Sequence, residues 1–116
     1  MIIKLNDLKP IMSVDDAEVY EIIGLKTNTK CLSVAYAVVH PNEETKLHFH
    51  NFTEVYIIVK GKGIITLDDN STLVEEKNII LINKKVKHKI KNVGNEDLEF
   101  YSVCSPAFNE KDTVLI

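Results

Sequence analysis

The chain has no tryptophan and no arginine: every one of its 14 basic residues is a lysine. Set against 17 acidic residues, these lysines leave a formal net charge of −3. That balance lacks the basic excess with which proteins hold nucleic acid or anionic lipid, so neither partner is expected. Two cysteines, Cys31 and Cys104, are too few to frame a disulfide-stapled fold. Both lie in apolar stretches and read as buried free thiols of a protein in the reducing cytoplasm. Long apolar runs are also missing. No stretch approaches the roughly 20 residues that cross a bilayer, and Lys4, Asp7 and Lys9 interrupt the opening residues, so no secretory h-region is expected there. Glycine and proline, at 4 and 3 residues, are too sparse for a linker, and 116 residues are expected to form a single domain over 1–116.

What the chain does have is a series of short apolar segments rich in Ile, Val and Tyr: 19–25, 32–39, 54–59, 63–67, 78–82, 86–90 and 98–104. They have the length of strands, and turn residues separate them. The clearest dividers are Lys60-Gly61-Lys62-Gly63, Asp68-Asp69-Asn70-Ser71 and Asn92-Val93-Gly94-Asn95, where Gly and Asn tolerate the positive φ that hairpins demand. Helical signal is confined to Ser13–Glu18, where Ser13 or Asp15 is able to cap one short turn. The last stretch, 106–116, reads as a tail lying over the body. An all-β fold, sandwich or barrel, follows from this pattern.

Three of the four histidines carry the chemistry. His48 and His50 are two apart, so a strand points both rings to one face, and Glu54 shares their parity if the chain stays extended. Neutral imidazoles and a carboxylate bind divalent first-row ions at about 2.0–2.2 Å, which makes this a metal-ligand set with no evident nucleophile. His88, on a later strand, is the best fourth ligand. Four protein ligands leave an octahedral ion with two open positions for water, substrate or dioxygen. His40, which precedes Pro41 at a strand end, reads as a surface residue.

At these residues the chain resembles the cupin superfamily. That family's first motif reads G-x5-H-x-H-x3 or 4-E-x6-G, and Asn42, His48, His50, Glu54 and Gly61 fall in its register. The second reads G-x5-P-x-G-x2-H-x3-N, and Lys77, Asn83, Lys85, His88 and Asn92 occupy its places. The departures, at Asn42, Lys77, Asn83 and Lys85, concern turns and not ligands. The resemblance covers about 31–106 and is nearest to small single-domain members of the mannose-6-phosphate-isomerase-like kind. It implies a jelly-roll barrel, or double-stranded β-helix, with His48, His50, Glu54 and His88 holding one divalent transition-metal ion (Fe, Mn, Ni or Zn) at its mouth. Tyr56, Phe49 and Asn92 are candidate pocket residues: Tyr56 shares the parity of Glu54, Phe49 lies between the two histidines, and Asn92 shares the parity of His88 and is placed to orient it.

A metal-dependent enzyme of oxygenase or isomerase type, acting on a small organic molecule, is the function these features favour. A non-catalytic barrel that captures a sugar or another metabolite, with an auxiliary metal, is the alternative. The lysine-rich run 84–89 is the one feature that favours an anionic substrate. The resemblance also implies a homodimer, since small cupins commonly dimerise through sheet edges or exchanged terminal strands, which covers an edge strand otherwise exposed.

Overall fold

The computed structural model describes all residues, 1–116. Its strands are β1 (Ile11–Met12), β2 (Glu18–Ile23), β3 (Ser33–Val39), β4 (His48–His50), β5 (Thr53–Lys60), β6 (Lys62–Leu67), β7 (Asn70–Glu75), β8 (Ile79–Ile82), β9 (His88–Asn92), β10 (Leu98–Ser105) and β11 (Thr113–Leu115). Short 3-10 turns at Leu5–Asp7, Leu25–Thr27 and Glu110–Asp112 are the only helical elements. The strands form two antiparallel sheets, ordered β1-β2-β3-β10-β5-β8 and β11-β4-β9-β6-β7. Facing one another, they make the double-stranded β-helix expected of the sequence.

Alternation along each strand builds the interior. Tyr56 and Ile58 of β5, Ile80 and Ile82 of β8, and Leu98 and Phe100 of β10 point inward from the six-stranded sheet. Ile65, Val74 and Ile90 meet them from the other sheet in one continuous apolar cluster. This cluster fills one end of the barrel. The opposite end, where β4 and the start of β9 lie, has polar side chains facing inward instead, and the candidate site is there.

Several expectations need correction. Ser13–Ala17 forms no helical turn: it is the loop of the β1–β2 hairpin, closed by Ser13 N–H donating to the Ala17 carbonyl at 2.8 Å. The turn expected over Asp68–Ser71 is confined to Asp68 and Asp69, and Asn70–Glu75 continues as β7, whose polar face is exposed and so shows little apolar alternation. Within the tail, residues 113–115 are a paired strand, with Thr113 opposite His50. Cys31 is exposed while Cys104 is buried, and neither forms a disulfide.

The turn positions where the motifs would place glycine keep a glycine-like backbone. Asn42, Lys77 and Lys85 have φ of 68°, 73° and 66°, the left-handed region that costs an L-residue about 1–2 kcal/mol. At Gly61, with φ of 91°, an added Cβ would lie 2.6 Å from the Asp97 carbonyl oxygen, so this turn admits glycine alone.

Lys77→Gly is therefore expected to leave stability unchanged or raise it by up to about 1 kcal/mol, because removing Cβ relieves the left-handed strain. Lys77→Val should lose about 1–2 kcal/mol, since a β-branched residue is least tolerant of positive φ. Urea denaturation of the two variants decides the matter, and equal losses in both would contradict the turn geometry.

Candidate metal centre

β4 and β9 are neighbours, and in their register His48 stands directly opposite His88. Period-two geometry adds His50 on the same face as His48. One donor atom from each of the three histidines therefore lies within 4.8 Å of the other two, and all three side chains are buried. Glu54 joins them by a route that strand parity does not describe. The chain bends at Asn51 and Phe52 and crosses from one sheet to the other, so Glu54 faces the histidines from β5 across the barrel. Its Oε1 is 3.2 Å from His88 Nε2 and 3.5 Å from His50 Nε2.

Each ring is held from behind. His48 Nδ1 lies 2.7 Å from the Lys46 carbonyl oxygen, and His88 Nδ1 lies 2.9 Å from that of Val86. A carbonyl only accepts, so both Nδ1 atoms carry the hydrogen and both Nε2 atoms present a lone pair to the interior. His50 Nδ1 is 2.8 Å from Thr113 Oγ1, contributed by β11. Glu54 is steered in the same way: the Ser102 hydroxyl and the Cys104 thiol donate to Oε2, which leaves Oε1 turned toward the rings.

The result is electron-rich and dry. Glu54 Oε1 and His88 Nε2 are buried and have no hydrogen-bond partner, although they face each other across 3.2 Å. Two lone-pair atoms in this position repel unless something positive lies between them, and buried polar atoms are otherwise satisfied. A cation fits the donor set. In the metal-free protein the same demand shows in the pKa shifts of the two groups. Burial pushes His88 down, but Glu54 outweighs it and raises its pKa above the ordinary value. Burial also pushes Glu54 up, and His88, His50 and Ser102 together hold its carboxyl below the usual range. Burial, reinforced by His88, lowers His48, and burial lowers His50 to about 4. Both stay neutral and able to ligate at physiological pH.

Of the candidate pocket residues, Tyr56 is buried and lines a cavity of about 460 Å³ that opens onto His48, His50 and Glu54. Phe49 points to the other face of β4, opposite Val114, and is not among the cavity residues. Asn92 is also outside the cavity. Its amide donates to the carbonyls of Val39 and Glu96 and its oxygen accepts from Gly94 N–H, so it fixes the turn after β9. His40 is on the surface, 2.7 Å from Asp97. Sequence reasoning missed Ser102, Thr113 and Asp15, whose Oδ2 lies 3.5 Å from His48 Nε2. No spacing signal links residues this far apart in the chain.

His50 gives a direct check on the burial. In the metal-free protein its ring should titrate near pH 4, followed by NMR of the imidazole resonances. The unfolded chain takes up this proton near pH 6.5, so the residue's contribution to stability falls as pH drops from about 6.5 toward about 4. A midpoint at 6 or above would show the ring to be solvated.

Comparisons agree with the architecture. A family model described as "Cupin domain" matches residues 35–104. An uncharacterized protein of Methanocaldococcus jannaschii is 31% identical over 118 residues, covering 96% of this chain and 90% of the relative. A predicted oxalate decarboxylase from Thermotoga maritima superposes with a TM-score of 0.82 at 22% identity, over 91% of this chain and 99% of that one. Oxalate decarboxylase from Bacillus subtilis gives a TM-score of 0.82 at 19% identity, but this chain spans only 31% of it. With a family model matching residues 35–104, more than half of its length, the chain belongs to the cupin family.

Proposed function

We propose that this chain binds one divalent transition-metal ion (Fe, Mn, Ni or Zn) through Nε2 of His48, His50 and His88 and the carboxylate of Glu54, and acts as a metal-dependent enzyme on a small organic molecule. The observation that carries this reading is the pair of inward lone pairs on His48 and His88, each fixed by a backbone carbonyl behind the ring, with His50 held beside them and two buried atoms, Glu54 Oε1 and His88 Nε2, that no hydrogen bond satisfies. Such an ion supplies Lewis acidity or, if it is redox-active, activation of dioxygen. The cavity beside it is large enough for a compact ligand. Its walls include Val14, Val19, Ile23, Ala37 and Phe108.

The walls also bear on the substrate. Lys26 is the only lysine lining the cavity, against the carboxylates of Asp15, Glu21, Glu54 and Glu110, and the 84–89 lysines lie outside it. A neutral, largely apolar ligand suits this balance better than a small dianion such as oxalate. The apolar outer face of β8, with Ile79 at 70% and Leu81 at 57% exposure, supports a homodimer that covers this edge strand. The unpaired thiols support work in a reducing cytoplasm.

Three measurements test these statements. Protein purified without added ions should carry close to one equivalent of a transition metal by elemental analysis. An ion at about 100 times its Kd adds about 2.7 kcal/mol, which for a domain of this size is a rise in Tm of roughly 10 °C. His48→Ala and His88→Ala should each abolish that rise, and a rise that survives in both would rule out this site. Separately, the wild type should sediment as a dimer and the double variant Ile79→Lys/Leu81→Lys as a folded monomer; a monomeric wild type would remove the dimer proposal.

A further inference from the structure

The β1–β2 hairpin brings a second carboxylate to the metal centre. Its strands pair Ile11 with Val19 and Met12 with Glu18, and its loop folds over the cavity mouth. Asp15, at the tip, has a side chain only 14% exposed and lines the cavity beside His48, His50 and Glu54. Its two oxygens are used differently. Oδ1 accepts from the Ser13 hydroxyl at 2.5 Å, whereas Oδ2 is turned inward to His48 Nε2 at 3.5 Å.

The two groups are also fixed to one residue. Lys46 N–H donates to the Asp15 carbonyl at 2.8 Å, while the Lys46 carbonyl receives His48 Nδ1–H at 2.7 Å. Hairpin tip and imidazole therefore share an anchor. Because Nδ1 of His48 holds the hydrogen, Nε2 has only a lone pair to offer, and the Asp15 carboxylate facing it receives no hydrogen bond from it. No lysine balances that carboxylate: the Lys46 ammonium pairs with Asp16, at 3.6 Å. Here again two electron-rich atoms face each other in a largely dry place.

Two donors each about 2.1 Å from one ion stand between about 3.0 Å apart, when adjacent, and about 4.2 Å apart, when opposite. The 3.5 Å between Asp15 Oδ2 and His48 Nε2 lies in that interval, as do the 3.2 Å and 3.5 Å from Glu54 Oε1 to His88 and His50; the group of donor atoms within 4.8 Å of one another is the three histidines, so Asp15 completes the set by an inward shift of the hairpin when the ion binds. We infer that Asp15 is a fifth protein ligand to the ion held by His48, His50, His88 and Glu54, so that the N-terminal hairpin closes directly onto the metal. This rests on the metal-binding reading above. Two carboxylates make the site neutral around a divalent ion, and an octahedral ion then keeps one position, not two, for an exogenous molecule.

The test uses the full chain with Zn2+ and Co2+ as probes. Competition with a chromophoric chelator gives Zn2+ affinity for the wild type, Asp15→Asn and Asp15→Glu. The Co2+ visible spectrum reports coordination, and amide hydrogen exchange reports the hairpin. Asp15→Asn should lose at least about tenfold in Zn2+ affinity and alter the Co2+ bands, while Asp15→Glu recovers part of the affinity. Metal should slow exchange at residues 13–17 of the wild type. Unchanged affinity in Asp15→Asn overturns the inference, and so does weaker affinity with an unaltered Co2+ spectrum, which would mark a distant charge effect. Should Asp15→Asn fail to fold, the wild type alone decides, since hairpin exchange indifferent to metal also overturns it. A wild type that binds neither ion fails at the centre itself, a result distinct from one in which only Asp15 is dispensable.

Discussion

Two backbone carbonyls, those of Lys46 and Val86, each take the Nδ1 hydrogen of the histidine two residues later in the chain. That pair of hydrogen bonds decides the character of the whole polar end of the barrel. It fixes the tautomer of His48 and His88, aims their lone pairs inward, and creates a concentration of negative potential that a folded protein does not leave uncompensated. Everything else at that end answers to this constraint. Ser102 and Cys104 turn Glu54 so that one oxygen is occupied and the other faces the rings. Both are small side chains on β10, the strand beside β5, so the same ladder that builds the sheet delivers the partner that orients the carboxylate.

The apolar end makes this arrangement tenable. Ile90 follows His88 on the inner face of β9 and is completely buried, as is Leu98 on β10. A close-packed floor keeps water from the histidines and limits how far their rings can turn. Burial then lowers the pKa of His48 and His50, and neutral imidazole is the form that ligates. Packing at one end thus sets the protonation state at the other. The cavity above the floor has mostly apolar walls and a few acidic groups, a character that favours uncharged ligands.

Much of this was legible in the chain. Apolar runs of strand length bounded by turn residues located β3, β5, β8 and β10 closely, because these strands stay apolar along their length even where side chains such as Ile57 and Ile79 face outward. β7 was hidden by its exposed, polar face, and β11 by its three-residue length. His48, His50 and His88 converge as their spacing suggests, but Glu54 does so for a different reason: parity assumed an extended chain, and a bend at Asn51–Phe52 instead carries it to the opposite sheet. Phe49 and Asn92 were read by proximity in sequence, whereas alternation turns the first away and the second is used in a turn. Asp15 was read as a helix cap. A side-chain oxygen that satisfies nearby backbone serves hairpin loops as well as helix starts, and only the topology places this loop above the histidines. The lysines at positions 77 and 85 show that a turn can keep its left-handed backbone without glycine when the rest of the barrel fixes it.

The contact between Thr113 and His50 joins residues 63 positions apart, and its supporting strand, β11, is the outermost member of its sheet. One of the barrel's innermost rings is thus kept in alignment by its most peripheral strand. Peeling back that short ribbon would untether an imidazole without touching any donor atom. The tuning of the centre therefore reaches the molecular periphery, where a substitution or a neighbouring protein could alter it while every ligand stayed in place.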